Sequence, residues 1–172
     1  DMGIQRLAGQ FPIIGEAEPP AFPLVLVRCN SGCGLVQLAH TVDPSLMFKD
    51  YWYRSGVSQT MRMHLETIAT ESISILGRQP RTVLDLGCND GTLLGFLPKT
   101  SNRIGIDPCD VGNEAVTEGR ASIIFKQLFP KEVNFVEGGQ FDLIFTVACF
   151  YDANNPVAFA RAVHDNLAPD GI

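Results

Sequence analysis

One stretch constrains the fold of this chain more than any other. It is Val83-Leu84-Asp85-Leu86-Gly87-Cys88-Asn89-Asp90-Gly91-Thr92-Leu93, an apolar run that carries an acid near its end and then breaks into a turn with two glycines. A short apolar run bounded by glycine reads as a strand buried on both faces, and the apolar residues beyond the turn read as the helix that follows it. The same alternation continues downstream. Strands are expected at Thr82 to Leu86, Arg103 to Ile106, Ser122 to Phe125 and Phe141 to Val147, and helices at Leu93 to Leu97, Glu114 to Glu118 and Val157 to Leu167. Strand, turn, helix and strand in succession predict an α/β fold built on a parallel sheet over residues 78–172.

The turn decides what such a sheet can hold. A dinucleotide fingerprint, G-x-G-x-x-G, begun at Gly87 requires glycine at the positions of Asn89 and Thr92, so that reading fails twice. Adenosylmethionine has no phosphate and presents an ammonium, a carboxylate and a sulfonium beside a nucleoside. A carboxylate at Asp85 attracts such a cationic end, whereas it would repel a pyrophosphate. Gly87 and Gly91 let the backbone pass close beneath a ligand. Ile104-Gly105-Ile106-Asp107-Pro108 then ends the next strand on an acid. An acid about 20 residues beyond the glycine turn is placed to accept ribose hydroxyls.

Ahead of the sheet the composition changes. Residues 1–45 are rich in proline and glycine and contain the apolar run Phe22 to Val27, followed by Cys29-Asn30-Ser31-Gly32-Cys33-Gly34-Leu35-Val36-Gln37-Leu38. That pattern predicts small antiparallel strands joined by a tight knuckle. Residues 46–77 form an aromatic connector, Tyr51-Trp52-Tyr53-Arg54-Ser55-Gly56, and then a helix from about Ser58 to Leu76. Met61, Leu65, Ile68, Ile73 and Leu76 supply its apolar period, Ser58 its N-cap and Gly77 its stop.

Four blocks taken in order resemble the class I S-adenosylmethionine-dependent methyltransferases, and more narrowly the sugar C-methyltransferases of deoxysugar biosynthesis. They are Cys33 to Leu38, Tyr51 to Gly56, Leu86 to Leu94, and Phe150-Tyr151-Asp152. The resemblance implies a Rossmann-like sheet with S-adenosylmethionine as cofactor. Asp85, Gly87, Asn89 and Gly91 would line the methionine side and Asp107 would take the ribose. Leu128 and Phe129 would lie against the adenine, and Ala148 and Cys149 beneath the methyl donor. It implies a nucleotide-linked keto-deoxysugar as substrate, with Tyr51 and Tyr53 as phenols that close over the donor or hydrogen-bond the sugar. Asp152 is a candidate base, though its position reads more readily as a turn cap.

Similar proteins begin with a module in which two cysteine pairs hold a structural zinc. Only Cys29 and Cys33 are present here, one residue wider apart than the usual knuckle, so a metal site would be incomplete in this chain and zinc is expected only in a longer protein. His40 is a conceivable third ligand but reads as a solvated strand-end histidine. The chain opens on Asp1 and closes on Leu167-Ala168-Pro169-Asp170-Gly171-Ile172, where another strand is expected to begin, and both ends read as cut. About four strands are countable where the resemblance implies seven, which predicts an exposed apolar sheet edge.

Composition narrows the partners. A formal net charge of −6 leaves no broad basic face for phosphates, so nucleic acid is not the expected partner. No apolar stretch reaches the roughly 20 residues of a membrane span. Five cysteines, an odd number scattered over turns and strand ends, point to a reducing, cytoplasmic setting.

Overall fold

The computed structural model describes residues 1–130 and 140–172. The chain divides into two compact units, Asp1–Tyr53 and Arg54–Ile172.

In the first unit, β1 (Ile4–Arg6) pairs antiparallel with β2 (Ala21–Pro23), and β3 (Leu26–Arg28) with β4 (Val36–Leu38). The apolar run Phe22 to Val27 therefore serves two hairpins instead of one strand. Pro23 has no N–H to continue a ladder, and the chain changes partner just after it. Leu24 N–H donates to the Gly3 carbonyl, and Val25 accepts from Ala39 N–H. Cys29 N–H donates to the Leu35 carbonyl at 2.9 Å, which closes the cysteine knuckle. Helix α1 (Pro44–Phe48) starts on Asp43, whose side chain accepts from Ser45 N–H. Beyond it Tyr51, Trp52 and Tyr53 form an aromatic cluster with ring centroids 6.1–6.5 Å apart, joined by Phe11 against Trp52 and Phe48 against Tyr51.

The second unit opens with a 3-10 turn (Ser55–Val57) and α2 (Gln59–Leu76). Both helix ends match the sequence signals. The Ser58 side chain accepts from Met61 N–H, and Gly77 adopts φ 70° while its N–H returns to Ile73. Then come β5 (Thr82–Leu86), α3 (Thr92–Gly95), β6 (Asn102–Ile106), α4 (Gly112–Thr117), β7 (Ile123–Phe125), β8 (Leu143–Phe145) and α5 (Pro156–Asn166). The four strands are all parallel, in the order β7-β6-β5-β8, and β5 is central.

Because β5 is covered on both faces, its side chains feed two cores. Val83 joins Leu65 and Ala69 of α2 with Leu93, Leu94, Ala115, Leu143 and Phe145. Leu84 and Leu86 join Ile104, Ile106, Phe141 and Phe159 of α5. Among the described residues no helix is long and apolar enough to cross a membrane.

Strand β7 starts one residue later than expected, at Ile123, and two further elements are shorter than the periodicity predicts. Helix α3 ends at Gly95 rather than Leu97, since the residue before Pro98 is disfavoured in helical conformation. β8 spans Leu143–Phe145 because Phe141 pairs with Leu167 outside the strand and Ala148 turns away at φ 54°. The free edge of β8 is not bare as expected. Phe141 N–H donates to Asn166 and accepts Ala168 N–H through its carbonyl. Ile172 N–H donates to Asp142, and the Ile172 carbonyl accepts from Ile144 N–H.

Asp142 anchors the start of the same strand. Its carboxylate accepts from the Arg78 guanidinium at 2.7 Å and from the backbone N–H groups of Arg81 and Thr82 at 2.5 and 3.2 Å. The hydrogen bond from Arg78, foremost, holds its pKa down at about 2. An acid with a lowered folded pKa contributes stability that is present above the usual carboxylate range and is lost as pH falls toward the folded value. Asp142→Ala is expected to cost on the order of 2 kcal/mol at neutral pH. Urea unfolding of both proteins should show that difference shrinking as the pH falls from about 4 to about 2.

Candidate functional site

In an open parallel sheet the ligand crevice lies beyond the carboxyl ends of the strands, where the chain order reverses. Here that point falls between β5 and β8, because β5 leads to β6 on one side and has β8 on the other. Asp85, Gly87, Asn89, Gly91 and Asp107, all picked out from the sequence, converge at this end of the sheet.

Asp85 is 3% exposed. Among the described residues no hydrogen bond or ion pair supports its carboxylate. Burial above all, and then the charges of Asp107 and Asp90, push its pKa up to about 8. A buried acid facing two further acids is an unfavourable arrangement for the protein alone, and it favours a cationic ligand.

The glycine turn hangs on β6. The N–H groups of Gly87 and Cys88 both donate to the Ile106 carbonyl, at 2.8 and 3.2 Å. Gly87 and Gly91 adopt φ of 74° and 70°. A Cβ at Gly87 would lie 3.0 Å from Cys149 Cβ, and one at Gly91 only 2.4 Å from Ala115 Cβ. The close approach at these glycines is thus made by the chain after β8 and by α4, a packing demand that the sequence reading did not anticipate. Asn89 has φ 51° and donates its N–H to Asp107 Oδ2 at 2.8 Å. Asp107 is 8% exposed, and its Oδ1 accepts from Cys109 N–H at 2.8 Å. Burial raises the Asp107 pKa, opposed by these two N–H groups. Two acceptor directions remain on the carboxylate for hydroxyl groups.

Sequence reasoning missed a clamp on the outer side of the turn. Asn89 Oδ1 accepts from Ser55 N–H at 2.9 Å and Asp90 Oδ2 from Gly56 N–H at 2.8 Å, while Arg54 pairs with Glu114 of α4. Asp90 Oδ1 also takes Thr92 Oγ1 at 2.6 Å. Gly56 fits because a Cβ there would come within 2.8 Å of Thr92 Oγ1 and 2.9 Å of Asp90 Oδ2. The available signal was the pair of short polar residues inside the turn, Asn89 and Asp90, a composition that commonly bonds nearby backbone.

The remaining candidates take other places. Phe129 stacks edge-on against Phe159 at 4.9 Å and packs on the second core, while Leu128 is exposed. Ala148 is exposed at the left-handed exit of β8. The half-buried Cys149 thiol has its pKa pushed up to about 11 by burial and by Asp85. Asp152 closes the 3-10 turn Phe150–Asp152, where its N–H donates to Cys149, and burial raises its carboxyl pKa. Tyr51 and Tyr53 lie in the aromatic cluster of the first unit, and His40 is exposed. In the knuckle, Cys33 N–H foremost lowers the Cys29 thiol pKa. Among the described residues no three His, Cys, Asp or Glu side chains gather as a metal site. Cys29 and Cys33 supply two sulfurs where a closed zinc site takes four donors, so the residues present do not fit a zinc ion.

A strand–glycine turn–helix unit with acids at the ends of two adjacent strands, set in a β7-β6-β5-β8 parallel sheet, defines a Rossmann-like α/β domain. Residues 53–172 match the family described as methyltransferase domain, and the chain belongs to that family. It is 24% identical over 99% of its length to the C-methyltransferase NovU of Streptomyces niveus. It is 27% identical over 76% of its length to ribosomal RNA small subunit methyltransferase C of Salmonella arizonae. The chain spans 42% of the length of each of these relatives. Among solved structures, the plantazolicin methyltransferase BamL, in complex with a triazolic desmethylPZN analog and SAH, superposes with TM-score 0.53 at 26% identity. That match covers 64% of this chain and 44% of BamL. Streptomyces venezuelae DesVI shares the fold at TM-score 0.50 and 17% identity, over 67% of this chain and 50% of DesVI.

Proposed function

We propose that this chain holds S-adenosylmethionine at the carboxyl end of β5 and supplies the donor half of a methyltransferase acting on a small molecule, a carbon of a nucleotide-linked keto-deoxysugar. The observation that carries the donor site is Asp85, a buried acid with two further acids beside it and no described cation against it. A ligand with a cationic end and a ribose fits that arrangement, because Asp85 meets the charge while Asp107 keeps acceptor capacity for hydroxyls. When bound, the sulfonium supplies an electrophilic methyl group. The protein's own part is to orient it. Gly87 and Asn89 hold the turn against β6, and the Asp107 carboxylate ties that turn to the loop carrying Cys109.

The sugar acceptor rests on the resemblance of the Tyr51 to Gly56 and Phe150 to Asp152 blocks, and on a C-methyltransferase matching 99% of the chain. Tyr51 and Tyr53 are the proposed acceptor-side phenols. The net charge of −6 favours a small acceptor over RNA. Calorimetric titration of the chain with S-adenosylmethionine and S-adenosylhomocysteine tests the donor site, with saturable one-to-one binding of both as the expected result. A folded chain that binds neither would overturn the assignment.

A further inference from the structure

Asp85 is 3% exposed, and among the described residues nothing hydrogen-bonds or pairs with its carboxylate; burial foremost, then the charges of Asp107 at the end of β6 and Asp90 in the glycine turn, oppose its ionisation, and its own charge in turn raises the thiols of Cys88 and Cys149. None of them is a cation. The helices on the Val83 face of β5 bring Leu65, Ala69, Leu93 and Leu94 to the core there, all apolar. Of the arginines around the glycine turn, Arg62 lies over the Phe96 ring, 5.8 Å from its centroid, and two others are held in ion pairs. Arg54 pairs with Glu114, and Arg120 pairs with Glu118 while its Nε donates to the Asp90 carbonyl at 2.9 Å. Asp107 differs from Asp85, since the N–H groups of Asn89 and Cys109 support its charged form.

We propose that Asp85 is a neutral carboxylic acid in the free protein and loses its proton to solvent when the cationic end of S-adenosylmethionine enters, so that the site reads ligand charge through proton release. This rests on the donor-site reading above. In the step, the Asp85 O–H bond breaks, the proton passes to a buffer base and the carboxylate that remains pairs with the incoming cation. The driving terms are electrostatic. A charge on Asp85 is disfavoured while its described charged neighbours are the acids Asp107 and Asp90, and favoured once an opposite charge arrives in the same water-poor space. With the free acid titrating near 8, affinity for a cationic ligand should rise about tenfold per pH unit below that point and level off above it. A neutral adenosine derivative gains nothing from the change.

The test is titration calorimetry at about pH 6 in two buffers of different ionisation enthalpy, which counts protons released per ligand bound. The ligands are S-adenosylmethionine, S-adenosylhomocysteine and 5′-methylthioadenosine, the last with neither ammonium nor sulfonium. About one proton is expected with the first two and none with the third. Asp85→Asn, which keeps the shape and cannot ionise, should bind the charged ligands more weakly and release no proton. The wild-type contrast between charged and neutral ligands stands even if that variant is unstable. Binding without proton release, or equal release from Asp85→Asn, overturns the proposal and leaves the donor site standing. Binding of none of the ligands at any pH overturns the donor site itself, and this inference with it.

Discussion

Asp107→Ala is expected to weaken S-adenosylmethionine binding by at least about a hundredfold, since each hydrogen bond between a charged group and a ribose hydroxyl contributes about 1.5–3 kcal/mol. The same substitution removes the acceptors of two backbone donors, Asn89 N–H and Cys109 N–H, each held at 2.8 Å. It therefore loosens the glycine turn and the loop after β6 together, at a further cost to stability of about 2 kcal/mol. Asp107→Asn separates the two effects. Its amide oxygen keeps one backbone acceptor while the charge is gone, so stability should recover more than affinity. Calorimetry and urea unfolding of both variants provide the comparison. If the two variants bind as tightly as the wild type, Asp107 has no part in holding the ribose.

The second large effect is expected at Gly91. Alanine there must adopt φ near 70° with its Cβ 2.4 Å from Ala115 Cβ. The left-handed conformation costs about 1–2 kcal/mol, and the overlap forces α4 away from the turn at about 1–3 kcal/mol more. A loss on the order of 3 kcal/mol in chemical unfolding follows, accompanied by weaker donor binding because α4 carries Glu114, the partner of Arg54. Gly119 is the internal control. Its φ is 68°, but a Cβ there would meet nothing within 4 Å. Gly119→Ala should therefore cost only the conformational part. Equal losses at the two glycines would show that contact with Ala115 is not what selects glycine at position 91.

Much of the sheet and of its candidate site was legible along the chain, and the reasons are local. Strand β5 was read to the residue, because an apolar run between Arg81 and a glycine turn admits one interpretation. Helix α2 was bounded correctly by Ser58 and Gly77, since capping is settled by residues within a turn of the helix end. The ends of β8 and α3 were less legible. β8 stops where Ala148 turns left-handed, and α3 stops under the influence of Pro98. The candidate site was readable as a set of types and spacings, namely Asp85, the glycines and Asp107, which the fold brings to one end of the sheet. Its outer clamp was not, because Ser55 and Gly56 meet Asn89 and Asp90 across a separation of 34 residues that no local pattern encodes.

The sequence by itself determined that a parallel sheet forms, where its glycine turn falls and which acids end the strands, because period, glycine placement and capping act over a few neighbouring residues. Only the tertiary structure decided what those residues face. It set Cys149 and Ala115 against the two glycines, left Asp85 buried beside two acids with no cation against it among the described residues, and turned the Asp107 carboxylate toward two backbone donors. Such facts depend on distances between strands and helices that meet only after the chain has folded, and it is those distances that gather carboxylates far apart in the sequence into one candidate site.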